Sequence, residues 1–231
     1  MRRSQPGTSA DNDSRIRQLY DSRPYLEAYA EHTDQRVAAD PHEAVGGSWE
    51  EIGRLQFDYL VANGLQRDHA LLDIGCGTLR GGRHFIRFLA PRRYTGIDLS
   101  EKAIQWGLEL VRAEGLGERQ PRLILNTSKD LRFAPFAGER FDFLLAQSVF
   151  THLMPEHIEE CFAHIGVVMH GRSVFFFTFR EGVEFKRAGF KDFDYPFAFF
   201  ENLAARRGFA IIRRDDYRHP RKQVMVEIKK G

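Results

Sequence analysis

Cysteine is scarce. Cys76 and Cys161 are the only two in 231 residues. They cannot build a disulfide framework, and no CxxC pair offers a zinc site. One lies in a glycine loop and the other on an apolar helix face, and both suit a reducing cytoplasm, the expected location. An excess of one charge is also missing. The 34 Lys and Arg face 32 Asp and Glu, for a formal net charge of +2. No broad field therefore gathers nucleic acid or an anionic membrane. No apolar run reaches the length of a membrane span. The opening MRRSQPGTSADNDS has two arginines but no apolar stretch behind them, so it reads as a polar tail and not as a signal peptide. There is no internal repeat. What remains, 42% hydrophobic and 29% charged, is an ordinary globular composition for one substantial domain with an appended segment.

Periodicity divides the chain. Residues 15–45 read as a helical segment broken at Pro24 and Pro41. Ser48-Trp49-Glu50-Glu51 has the spacing of a capping box, opening a helix that stops at Gly64. Strands and helices then alternate: HALLDI, a helix over 79–89, YTGIDL, a helix capped by Ser100, RLIL, FDFLLAQ, a helix over 155–169, and SVFFFTF. That order predicts a parallel sheet covered by helices. A helix over 196–208 precedes the strands AIIRR and QVMVEIK, whose connecting loop is too short for a crossover helix, so they are expected to pair antiparallel. The expected organisation is a disordered tail over 1–14, a helical lid over 15–47 and an α/β domain over 48–231.

LLDIGCGTLRGG joins the first strand to a helix. Gly75 and Gly77 permit a tight turn and a close approach of ligand to backbone, and the helix offers free N–H groups. Such a loop is also an ordinary strand-to-helix turn. Asp73, at the end of the first strand, and Asp98, at the end of the second, narrow the choice. A carboxylate at the second position can accept both vicinal hydroxyls of a ribose. Its other role, capping the next helix, is already served by Ser100. A dinucleotide fingerprint would need glycine where Arg80 stands, which disfavours a dehydrogenase.

In order and spacing, LLDIGCGT, YTGIDLS and FDFLLAQSVFTHL resemble three successive motifs of the class I S-adenosylmethionine (SAM) dependent methyltransferases, closest to the small-molecule group. The resemblance runs from about Gly53 to the C-terminus. It implies an α/β, three-layer, Rossmann-like sheet of seven mostly parallel strands ending in an antiparallel hairpin, with SAM as cofactor and S-adenosylhomocysteine (SAH) as product. It also implies that Gly75-Cys76-Gly77 packs against the methionine part and that Asp73 lies near the amino group. Asp98 would bind the ribose with Leu99 against the adenine, and Gln147 would complete the set. Where the family usually reads the adenine amino group with an acid, the alignment gives Thr127, whose hydroxyl is the candidate with the Ser128 backbone, and Asp130 lies further on. Leu79 stands where many members have a third glycine. AQSVF replaces the NPPY-type run of enzymes that methylate amino groups of nucleic acids and proteins. Gln147 and Ser148 stand where metal-dependent relatives place an acid. The expected reaction is therefore metal-independent methylation of O or N on a small molecule. Protein or RNA methylation and non-catalytic SAM binding are the alternatives.

Methyl transfer asks for alignment, exclusion of water and, for a protonated nucleophile, a base. His152, after the fourth strand, is the candidate base, set against a role in packing its loop. His32 and His219 are weaker candidates, expected at the surface. Arg36, in the lid with Tyr25, Tyr29 and His32, is the candidate for the cofactor carboxylate or an acidic substrate, set against a solvated helical arm. The Phe-rich run from Phe185 to Tyr195 is expected to wall an apolar or aromatic acceptor pocket.

Overall fold

The computed structural model describes residues 9–231. Residues 1–8 of the expected tail lie outside the described residues. Helix α1 (Ser9–Ser22) begins within the stretch 1–14 that was expected to be tail throughout. α2 (Tyr25–Ala39) and α3 (Pro41–Ala44) follow, divided at Pro24 and Asp40. Pro24 and Pro41 each open a helix, because the residue before a proline resists the helical region. Asp40 caps α3 by accepting the N–H groups of His42 and Glu43.

α4 (Trp49–Ala62) starts where the capping-box spacing puts it, but without the box. Ser48 has a left-handed φ of 46° and makes no side-chain cap bond. A capping serine needs extended backbone to reach the next turn. Of the two acids of the first turn, Glu50 pairs with Arg83 at 2.5 Å.

The sheet is built from β1 (Leu71–Ile74), β2 (Tyr94–Asp98), β3 (Arg122–Leu125), β4 (Phe141–Ala146), β5 (Met169–Glu181), β6 (Lys186–Ala188), β7 (Asp192–Tyr195), β8 (Phe209–Arg214) and β9 (Val224–Lys230). The first five are parallel in the order β3-β2-β1-β4-β5, and β9 and β8 then add antiparallel. These seven are the expected strands. β6 and β7 are two more, an antiparallel pair joined to the end of β5 through Arg180 and Glu181. They occupy the run expected to be a pocket wall.

The helices between strands are α5 (Gly82–Phe88), α6 (Glu101–Ala113), α7 (Pro155–His164) and α8 (Phe197–Arg206). Ser100 caps α6 as expected, its Oγ accepting the Ala103 N–H at 3.0 Å. α7 is shorter than expected because Ile165–Val168 tightens into a 3-10 turn. Alternation along the strands feeds two cores, one on each face. Leu144, Phe175 and Phe177 pack with Ile158, Phe162 and Phe200 of α7 and α8. Phe143, Leu145 and Phe176 pack on the other face with Leu60, Phe85 and Val111. The result is three layers. Among the described residues no helix is long and apolar enough to cross a membrane.

Candidate functional site

The parallel strands end along one edge, and the chain leaving them lines a cavity of about 590 Å³, within the roughly 300–1,000 Å³ usual for small-molecule sites. α2 roofs it. Leu26, Tyr29, Thr33 and Arg36 line the cavity from one helix face. Tyr25 and His32, expected on that face, sit beside it. The Tyr25 hydroxyl donates to the His152 carbonyl at 2.7 Å, tying roof to floor.

Gly75 and Gly77 have left-handed φ values of 67° and 54°. A Cβ at Gly75 would stand 2.6 Å from Val149 Cγ2, and one at Gly77 2.7 Å from Val45 Cγ1. Both conformation and space therefore require glycine. Leu79 also takes a left-handed φ, 66°, and is fully buried. The backbone keeps the turn that a third glycine would make easily, while the side chain fills the space over Gly82 and Gly107.

Asp98 closes this end. Its Oδ2 accepts the Gly77 N–H and its Oδ1 the Ser100 N–H, each at 2.8 Å. Each oxygen retains acceptor capacity toward the cavity. Burial raises the Asp98 pKa, opposed by these N–H groups. Asp73 lies deeper and accepts the Tyr94 hydroxyl at 2.7 Å. Burial pushes its carboxyl up to about 7, against that hydrogen bond and with help from Asp98. Such a carboxyl is poised for a cationic partner.

Cys76, Leu99, Gln147 and Arg36 also line the cavity. Thr127 and Ser128 do not, and both are exposed. The Asn126 N–H bonds to the Asp98 carbonyl at 2.8 Å, extending the β2–β3 ladder one residue past Leu125. Asn126 and Asp130 are the polar lining residues of this loop, with Leu131, Phe133 and Pro135 beside them. Asn126 Nδ2 donates to the Asp130 carbonyl at 2.7 Å, and its Oδ1 accepts the Ser128 hydroxyl.

His152 lies at the other end, after β4. Its Nδ1 is 2.8 Å from the Lys191 carbonyl and 3.2 Å from Asp192 Oδ1. A carbonyl only accepts, so Nδ1 carries the proton and Nε2 of the neutral ring is an acceptor. Burial lowers the His152 pKa, opposed by Asp192. His32 and His219 are buried, contrary to the surface positions expected of them. Burial holds each at about 4. His32 meets the Tyr20 hydroxyl, and His219 lines the cavity.

The Phe-rich run does not wall the cavity. Phe193 and Tyr195 belong to the core, and Phe185 is 45% exposed. The run gives the cavity Lys191 and Asp192 instead. Sequence reasoning missed both, along with Arg180 and Arg221, although the alternation Asp192-Phe193-Asp194-Tyr195 was a signal for β7.

A family model described as a methyltransferase domain matches residues 71–170, the stretch that carries the glycine loop, Asp98 and His152. Residues 71–170 thus match a methyltransferase domain. Solved structures share its fold. Magnesium protoporphyrin IX methyltransferase from Synechocystis PCC 6803, with bound SAH, is 14% identical; the match covers 90% of this chain and 100% of that one, with a TM-score of 0.68. DhpI in complex with SAH is 13% identical, over 90% and 97%, at 0.66. The [4+2]-cyclase SpnF is 16% identical, over 90% and 97%, at 0.68. One architecture thus carries different reactions, and the reaction of this chain has to be argued from its own site.

Proposed function

We propose that this methyltransferase transfers a methyl group from SAM to an oxygen or nitrogen of a small molecule, without a metal, with His152 as general base. One observation carries the reading: the His152 imidazole, its Nδ1 held by Lys191 and Asp192, lines the same cavity as the glycine loop and Asp98. The residues fit the cofactor. The two glycines hold left-handed turns in which a Cβ would strike Val149 or Val45, so the loop backbone stays bare beside the cavity, and Asp98 and Asp73 offer acceptors for hydroxyls and an ammonium group. When bound, SAM supplies a methyl group made electrophilic by its sulfonium. In this reading Asn126 and Asp130 take the adenine-reading place expected of Thr127 and Ser128, and Arg36 pairs with the methionine carboxylate. α2 excludes water from the cavity, and His152 Nε2 receives the acceptor's proton while Asp192 offsets the imidazolium charge.

The test is turnover of labelled SAM by the full chain against a metabolite library, alongside calorimetry with SAH and NAD. SAH is expected to bind and NAD not. Micromolar NAD binding with no SAM or SAH binding would overturn the reading. Methyl transfer is expected to proceed unchanged in EDTA. A rate abolished by EDTA and restored by Mg²⁺ would show that a metal is required.

The roof is proposed to be a lid. It is held by side chains more than by sheet pairing: Asp34 Oδ1 accepts the Ser100 hydroxyl and the Lys102 N–H, and the Thr78 hydroxyl donates to the Pro41 carbonyl. Such contacts can break without opening the sheet, and product must leave. Deletion of residues 1–45 is expected to leave a folded domain with weaker SAM retention and impaired turnover. Proteolysis within α1–α3 should slow when SAM and acceptor are present. Equal cleavage with and without ligands, together with full activity of the truncated chain, would reduce the segment to a passive arm.

A further inference from the structure

The cavity is electrically lopsided. At the Asp98 end, Asp73, Asp98 and Asp130 line it with one cation, Arg80, whose NH1 is already taken by the Val45 and Gly47 carbonyls. At the far end, beyond β4 and β5, Arg180, Lys191 and Arg221 line it with one acid, Asp192. That acid is already engaged by His152 at 3.2 Å. The Lys191 side chain is only 17% exposed, and its closest acid is Asp192 Oδ1, 3.9 Å from Nζ, beyond hydrogen-bond reach. Among the described residues its ammonium makes no hydrogen bond. Arg221 donates to the Gly46 carbonyl and has no carboxylate within 4.0 Å among the described residues. Arg180 is tied through Nε to Asp194 at 2.8 Å, while its NH1 lies 4.0 Å from Asp192. Burial lowers the Lys191 pKa, and Arg36, Arg221 and Arg180 add to it against the pull of Asp192.

We infer that the methyl acceptor carries an anionic group, a carboxylate or a phosphoryl, held by Lys191, Arg221 and Arg180 beside His152. This rests on the proposed placement of SAM at the Asp98 end, which leaves the far end for the acceptor. Lys191 and Arg221 face the cavity without a hydrogen-bonded counter-charge among the described residues, and such cations oppose folding unless a ligand completes them. Guanidinium and ammonium groups are the donors that carboxylates and phosphoryl groups select. The one carboxylate of SAM can occupy a single cation, and Arg36 is placed for it in the roof. The segment expected to offer aromatic rings offers Lys191 and Asp192 instead, so polar recognition governs this end. The anion also fixes the acceptor's reacting atom next to His152 Nε2, which is where alignment is needed.

The experiment is calorimetry on the full chain, free and saturated with SAH, at constant ionic strength, with inorganic phosphate, benzoate and neutral benzamide as probes. Phosphate or benzoate is expected to bind the SAH complex, and benzamide about tenfold more weakly or not at all. Whichever anion binds more tightly identifies the phosphoryl or the carboxylate source. The double variant Lys191→Gln/Arg221→Gln is expected to lose about tenfold or more of that anion affinity, with its SAH affinity essentially unchanged. The single Lys191→Gln serves if the double variant does not fold. Absence of anion binding to the SAH complex, or anion affinity untouched in the variants, overturns the inference. Anion binding that disappears when SAH is added also overturns it, because the cluster would then serve the cofactor. Failure of SAH to bind at all instead overturns the cofactor placement, and with it the assignment of this cluster to an acceptor.

Discussion

Replacing His152 with Ala is expected to lower kcat by about 10²–10⁴-fold, the usual contribution of a positioned general base, with SAM affinity essentially unchanged. His152 follows β4, two strands along the sheet from β2 and Asp98, so its loss should leave the cofactor's contacts at Asp98 in place. Asp192 acts through His152 as a positioning residue: its Oδ1 lies 3.2 Å from Nδ1 and opposes the fall in pKa that burial imposes. The pH profile checks this. The base form of His152 exists above its pKa, and that pKa lies below the ordinary imidazole value of 6.5. The rate should therefore hold as the pH falls through 6.5 and drop only at more acid pH. In Asp192→Asn the opposing charge is gone, so the acid limb should shift further down and the plateau should fall. A merely structural role for Asp192 would change the plateau and leave the limb in place. An unchanged kcat in a folded His152→Ala variant would remove His152 from the chemistry.

The sequence made the frame readable where period and chemistry agree. Four-residue LLDI is buried at every position, as a central parallel strand must be, and the apolar run said so. The hairpin β8–β9 followed from a loop too short to cross over. Gly75, Gly77 and Asp98 were legible because turn geometry and hydrogen-bonding capacity limit what can stand there. Leu79 shows the limit of that logic. Its left-handed backbone is imposed by the turn, and its side chain is retained by the core it fills. What failed depended on orientation or on distant neighbours. Ser48 has the right residue type at the right place, but its backbone turns the wrong way. One added ladder bond made Asn126, and not Thr127, the residue facing the cavity. Lys191 and Asp192 enter the site only because β7 attaches to the end of β5, a pairing between segments that no local pattern specifies. His32 and His219 are buried by tertiary packing that their neighbours in sequence do not reveal.

Replacing Asp98 with Ala is expected to weaken SAM binding by about 1.5–3 kcal/mol or more, the scale of losing charge-assisted hydrogen bonds. Two losses combine. The ribose hydroxyls lose their charged acceptor, and the glycine loop loses the bond from the Gly77 N–H to Oδ2. The helix beyond should survive, because Ser100 caps α6 through its own hydroxyl and Asp34 accepts from both Ser100 and Lys102. At this helix start only the Ser100 N–H, like the Gly77 N–H in the loop, is left to find water. Thermal stability should accordingly change less than cofactor affinity, a separation that melting curves with and without SAH can resolve. Asp98→Asn divides the two contributions. Its amide oxygen can still accept one backbone N–H, which keeps part of the loop, but the negative charge is gone. Its SAM affinity should fall between wild type and Asp98→Ala. A folded Asp98→Ala variant with an unchanged dissociation constant would mean that the cofactor does not use this end of the cavity. The assignment of the opposite end to the acceptor would then fall with it, whatever His152 does.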